Sequence, residues 1–120
     1  MMKNYYQQHQ NLLKRFRLAI QKEFPDCRGF ERHVGLFYTI KGTPVKINKP
    51  GMSDLWYLFP INNICMYMEF EVKSGDAIKT KEQKQWASFL NKMNTGSIEV
   101  RDDNFDFVFI EIKKRLSFYT

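Results

Sequence analysis

Tyr5, His9, Leu12, Leu13, Phe16, Ala19 and Ile20 recur at three- and four-residue steps. This is the spacing of one face of a helix over residues 4–23. Lys14, Arg15, Arg17 and Lys22 fall largely outside the stripe, as a solvated basic face does. A helix lying on a membrane surface would share the pattern, but nothing else in the chain supports it. Pro25 stops the helix. From Gly35 to Asn48 the chain reads as extended: LFYTI, the turn pair Lys41-Gly42 and PVKIN predict a hairpin. Pro50-Gly51 punctuates again. DLWYLF, residues 54–59, is a short apolar strand, followed by a turn at Pro60, Asn62 and Asn63.

The next strand runs from Cys65 to Lys73 and ends at Ser74-Gly75-Asp76. Thr80 to Met93 reads as a helix, with Thr80 as N-cap and Gln83 completing a capping box. Trp86, Leu90 and Met93 are its apolar stripe, and Asn94 and Gly96 close it. Ser97–Arg101 is a short strand. Asp102 or Asp103 would cap a last helix that buries Phe105, Val108, Phe109 and Ile112, with Lys113, Lys114 and Arg115 near its end. With the hairpin taken as one β unit, the order is α-β-β-β-α-β-α. That is an α/β chain with a mixed sheet flanked by helices.

Strand 65–73, CMYMEFEVK, is the most informative segment. Side chains alternate across a strand. Met66, Met68, Phe70 and Val72 therefore share an apolar face, and Tyr67, Glu69, Glu71 and Lys73 share the other. Two carboxylates and an ammonium on one face of a central strand are costly unless paired or used. An edge strand with a solvated charged face is the alternative.

Composition narrows the setting. The chain of 120 residues is one domain, 43% hydrophobic and 27% charged, which suits a globular protein. No apolar run approaches the roughly 18 residues of a membrane span, and MMKNYYQQHQ lacks the apolar core of a secretory signal. Cys27 and Cys65 are too few for a disulfide scaffold or a four-cysteine zinc site. A reduced, intracellular and cytoplasmic setting is expected. The net charge of +6 is uneven: residues 1–53 carry ten Lys/Arg and three Asp/Glu, and residues 54–120 carry nine and ten. A basic first half suits a polyanionic partner, through phosphate neutralisation and counterion release. A basic balance serving solubility alone is the alternative.

The turn between the two apolar strands also sets a register. Counting outward from it, Asp54 falls opposite the C-terminal part of strand 65–73. Asp54 and Glu71 would then share a divalent cation through oxygen ligands, as Mg2+ or Mn2+ prefers. Lys73 points the same way as Glu71 and would orient a water and offset charge in the transition state.

Gly51-Met52-Ser53-Asp54, then Glu71-Val72-Lys73-Ser74-Gly75, then Gln83 and Trp86 at the start of a helix, resemble the PD-(D/E)XK nuclease superfamily. Within it the pattern is most similar to the virus-type replication-repair nuclease (VRR-NUC) domain, over residues from about 34 to 115. The resemblance implies a restriction-endonuclease-like core, α-β-β-β-α-β, filling residues 1–120 as one domain. It implies metal-dependent hydrolysis of DNA phosphodiesters, on branched or junction DNA, with Mg2+ or Mn2+ as cofactor. Asp54, Glu71 and the Val72 backbone carbonyl would hold the metal. Lys73 would position the attacking water, and Gln83 would stand at the site edge. Small free-standing members act as homodimers, and the family's distribution points to a phage or mobile-element setting.

Two departures stand out. The family usually takes another acid from the first helix, but no Asp or Glu precedes Glu23, and the helix offers Gln7, Gln8, His9 and Gln10. Glu23 or Glu31 would have to substitute, or a Gln or His would bind a metal-held water. One- or two-metal use stays open. Ser53 also replaces the proline that often precedes the Asp.

Of the remaining residues, His9 on the apolar stripe reads as a packed or hydrogen-bonded histidine rather than a ligand. Cys65 reads as buried, and Trp56 and Trp86 as core. Arg28 and Arg32, beside His33, are phosphate-contact candidates. Lys49 and the trio Lys79, Lys81 and Lys84 are further DNA-backbone contacts, with an ordinary solvated face as the alternative for the trio. The rival to the nuclease is a non-catalytic nucleic-acid-binding or inhibitor module on the same fold.

Overall fold

A computed structural model describes residues 5–32, 35–47, 51–93 and 96–120. His33, Lys49, Pro50 and Asn94 lie outside the described residues. The elements are α1 (Tyr5–Glu23), β1 (Arg28–Glu31), β2 (Gly35–Tyr38), β3 (Pro44–Ile47), β4 (Leu55–Ile61), β5 (Ile64–Val72), α2 (Lys81–Leu90), β6 (Ser97–Val100) and α3 (Phe105–Leu116). A short 3-10 turn follows at Ser117–Tyr119.

Four strands form a mixed sheet in the order β1-β4-β5-β6. β4 is antiparallel to both β1 and β5, and β5 runs parallel to β6, with α2 in the crossover between them. The hairpin β2–β3 is a separate two-stranded sheet inserted between β1 and β4. The chain is therefore mixed α/β, as its pattern implies. β1 is the strand that the pattern misses. Its four residues, RGFE, are mostly exposed and carry no apolar alternation, and pairing with β4 makes them a strand.

One face of the sheet is apolar. Leu55, Tyr57 and Phe59 of β4, Met66, Met68, Phe70 and Val72 of β5, and Ile98 and Val100 of β6 are all buried there. Leu12, Leu13, Phe16 and Ile20 of α1 and Val108, Ile112 and Leu116 of α3 join the same core. Phe16 is its centre, with ring centroids 5.3 Å from Phe70, 5.4 Å from Phe105 and 6.3 Å from Phe109.

Several boundaries move for identifiable reasons. The β4–β5 turn needs only Asn62 and Asn63, both at positive φ (47° and 65°). Asn tolerates that region, and two such residues make the tight turn that matches strand twist. Pro60 therefore belongs to β4. It lies beyond Leu58, the last residue that β1 pairs, so its missing N–H is not needed on that side. Cys65, paired with Pro60 at this open end, is exposed rather than buried. α2 ends at Leu90, one turn early, because the Asn91 side chain accepts the Ser97 N–H (2.9 Å) and ties the chain to β6. Met93 is consequently half-exposed, and Ala87 takes its place beneath the helix. Neither Asp102 nor Asp103 caps α3. The N-cap is Asn104, whose side chain turns back to the Arg101 N–H (2.7 Å) and the Glu99 carbonyl (3.0 Å). Among the described residues no helix is long and apolar enough to cross a membrane.

Replacing Phe16 by Ala opens a cavity at the meeting point of α1, α3 and the sheet. We expect a loss of about 3–5 kcal/mol in unfolding free energy by urea denaturation. A loss below about 1 kcal/mol would remove Phe16 from the centre of the core.

Candidate functional site

β5 lies between β4 and β6, so its polar face is not a solvated edge. Glu69 is 0% exposed and Glu71 3%. The two carboxylates have opposite fates. Glu69 is saturated with donors. Its Oε1 accepts the Ser53 N–H (3.2 Å) and the Trp86 indole N–H (2.9 Å), and its Oε2 accepts the Arg32 guanidinium (2.9 Å) and the Tyr67 hydroxyl. Burial disfavours its charge, but the bonds from Tyr67, Arg32 and Trp86 outweigh that and hold the carboxyl below its ordinary range. Tyr67, half-buried and bonded to Glu69, is pushed up to about 12.

Glu71 has no such surplus. Its Oε1 accepts from the Gln83 amide (2.7 Å) and stands 3.6 Å from the Lys73 ammonium. Its Oε2 is buried with no hydrogen-bond partner at close range, and the Ser53 hydroxyl lies only near enough to the carboxylate to favour its charge. Burial, and then repulsion from Asp54, push Glu71 up to about 7.

The β4–β5 ladder brings Asp54 here. Leu55 pairs with Phe70, so one further step sets Asp54 beside Glu71, as the register count implies. The Val72 N–H donates to Asp54 Oδ2 at 3.3 Å. Burial raises the Asp54 carboxyl, against the pull of His9, the Val72 N–H and Lys73. The loop leading to Asp54 packs on the start of α2. Gly51 has φ +92°, and a Cβ there would lie 2.2 Å from the Glu82 carbonyl oxygen.

Gln83 is fixed by its own helix. The Thr80 hydroxyl accepts the Gln83 N–H (3.2 Å), and Gln83 Oε1 accepts the Thr80 N–H (2.8 Å), completing the capping box. The same Oε1 accepts from Lys73 Nζ at 2.7 Å. One amide thus holds the Lys73 ammonium and the Glu71 carboxylate in place.

Asp54, Glu71, Val72, Lys73 and Gln83 border a cleft of about 400 Å³, closed on its other side by Tyr6, His9 and Gln10 of α1. His9 Nε2 is 3.6 Å from Asp54 Oδ2. His9 is therefore at the cleft, not packed in the core. Its place on the apolar stripe hides this, because the first turns of α1 run past the sheet beside Asp54. Larger surface clefts of about 540 and 640 Å³ bring no comparable pair of carboxylates together with a lysine.

The phosphate-contact candidates separate. Lys79 is half-buried and close enough to Glu71 to favour its charge, and Lys81 and Lys84 are exposed on the first turns of α2. Arg28 stands apart: it pairs with Leu58, well along β4 from Asp54, and donates to the Pro25 and Cys27 carbonyls. Arg32 is turned inward, with a side chain 10% exposed and bonded to Glu69 and Tyr67 (2.7 Å). It braces the site and is not offered to a phosphate. Lys49 lies outside the described residues.

The donor set suits a hard divalent cation: two carboxylates facing each other, one with a buried oxygen that lacks a partner. Among the described residues no three His, Cys, Asp or Glu side chains are already gathered as a cage. Comparison of the chain with family models, curated proteins and solved structures returns no match.

The raised Glu71 carboxyl has a consequence for stability. The folded state binds this proton more tightly than the unfolded chain does. The resulting stability is complete below about pH 4.5 and is lost as pH rises through about 7. In metal-free protein, urea unfolding across this window should show a fall of up to about 3 kcal/mol that Glu71→Gln removes. Superimposable profiles for the two proteins would show that Glu71 titrates normally.

Proposed function

We propose that this chain is a metal-dependent deoxyribonuclease built on a restriction-endonuclease-like core, similar to the VRR-NUC domain. One observation carries the reading. Asp54, Glu71, Lys73 and Gln83, spread over 30 residues, converge at one end of the central strand pair, and a buried oxygen of Glu71 is left without a partner. Polar groups are rarely buried unsatisfied, and this one borders a cleft.

Asp54 and Glu71 would hold Mg2+ or Mn2+, with the backbone carbonyl of Val72, a residue that borders the cleft, as a further ligand. When bound, the cation supplies Lewis-acid polarisation of a phosphate oxygen and lowers the pKa of a coordinated water. Lys73 directs its ammonium into the cleft, held there by Gln83 Oε1 (2.7 Å). From that position it orients the attacking water in line with the scissile P–O bond and offsets the charge that builds on the phosphorane-like transition state. Gln83 fixes the spacing of Lys73 and Glu71 without itself moving a proton. Lys79, Lys81 and Lys84 flank the cleft and would neutralise flanking phosphates. A homodimer would extend the contact beyond the surface of one small domain.

The test is cleavage of linear and branched DNA in the presence of Mg2+ or Mn2+. Asp54→Ala and Lys73→Ala should each lower the rate by about 10²-fold or more. Undiminished activity in either variant would end the assignment. DNA binding that weakens with salt, with no cleavage under any divalent ion, would instead support the binding-module reading.

A further inference from the structure

The first helix supplies no acid to the cleft. Glu23 lies at its far end, bonded to Lys113 (2.7 Å), and Glu31 on β1 is bonded to Arg17 (3.0 Å). Neither borders the cleft. The helix instead presents His9, with Nε2 3.6 Å from Asp54 Oδ2. That separation is beyond a hydrogen bond. It fits two donors of one ion: with bonds of about 2.1 Å, neighbouring ligands stand about 3 Å apart at a right angle and nearly 4 Å at wider angles. The second carboxylate of the cleft, Glu71, brings an oxygen that is buried and unpartnered.

We propose that His9 is the residue through which the first helix joins the metal site, ligating by Nε2 beside Asp54, and that its imidazole turns the site toward Mn2+ over Mg2+. The inference rests on the metal-site reading above and goes further, because it assigns a ligand and a cation preference. Mg2+ holds oxygen ligands and sheds its water reluctantly. Imidazole nitrogen is a better partner for first-row transition ions, and Mn2+ accepts mixed nitrogen and oxygen sets. A carboxylate at this place would favour Mg2+ more. In this arrangement the neutral ring offers the Nε2 lone pair to the ion, and the nitrogen proton resides on Nδ1.

The experiment uses the full chain without DNA, so that activity is not the readout. Calorimetric titrations with MnCl2 and MgCl2 are run on the wild type, His9→Ala, His9→Asp and Asp54→Asn. Pulsed EPR of the Mn2+ complexes detects nitrogen bonded to the metal. His9 is partly exposed, so its variants should fold, and circular dichroism checks this. We expect the wild type to bind Mn2+ about tenfold or more tightly than Mg2+ and to show coordinated 14N. His9→Ala should lose about tenfold or more in Mn2+ affinity, together with the 14N signal. His9→Asp should narrow the gap between the two ions. If Mn2+ binds and is lost in Asp54→Asn, but His9→Ala keeps both affinity and spectrum, the His9 assignment fails and the carboxylate site stands. If neither ion binds the wild type, or Asp54→Asn changes nothing, the metal site itself fails and His9 with it.

Discussion

The buried carboxylate of Glu69 is the constraint on which the rest of this structure depends. It brings a full charge into the sheet, and it is tolerated because four donors from separate parts of the chain converge on it: Arg32 after β1, Ser53 before β4, Tyr67 on β5 and Trp86 on α2. Losing one partner of such a group costs several kcal/mol, since the charge stays buried. Each donor also fixes something nearby. Ser53 places the residue before Asp54, Trp86 seats the helix that carries Gln83, and the Arg32 N–H pins the Asp54 carbonyl at 2.7 Å. Cation–π contact of Arg32 with Trp56, 6.0 Å from the ring centroid, closes the bracket. Glu69 thus builds the frame in which Asp54 and Glu71 can face each other.

This division between two glutamates two residues apart was only half legible in the chain. Strand alternation places Glu69, Glu71 and Lys73 on one face with no knowledge of the fold, because the period of a strand is a local property. Which carboxylate is saturated depends on donors from 2 to 37 residues away. No local pattern holds that information. The same limit explains the other differences. β1 has no alternation of its own and exists through its partner β4. Arg32 looks like a surface arginine from its basic neighbours until the sheet turns it onto Glu69. His9 shares a stripe with true core residues and differs from them by lying beside Asp54 at the cleft. By contrast, features set within a few residues were readable: the capping box at Thr80 and Gln83, the stop at Pro25, and the register imposed by the turn at Asn62 and Asn63.

Ser53, the residue before Asp54, has a physical role that a proline could not fill. A proline there would lack the N–H that Glu69 Oε1 accepts. With Trp86 still donating to that oxygen, a proline would weaken the bracket without abolishing it. A serine is consistent with a chain whose site frame rests on a buried charge in place of a rigid turn. The choice has a cost, since Ser53 restricts its backbone less than proline does. Gly51, two residues earlier, adds to that entropic cost but lets the loop approach the Glu82 carbonyl closely.

The Asp54–Glu71 cluster is built the other way, with charges left incompletely matched. Glu71 is buried as deeply as its neighbour but accepts one close hydrogen bond, from the Gln83 amide; Lys73, the Ser53 hydroxyl and Lys79 lend weaker support, and Asp54 opposes its ionisation. A site made only for stability would have supplied more donors, as β5 does two residues earlier. The deficit falls on Glu71 Oε2, and the surrounding groups are held in place: Lys73 by Gln83, Gln83 by Thr80, and the 75–77 loop by Arg101, which donates to the Gly75 and Ala77 carbonyls. Rigid support around an unsatisfied centre is what preorganisation requires, because the missing charge can then be supplied by a ligand without rearranging the frame.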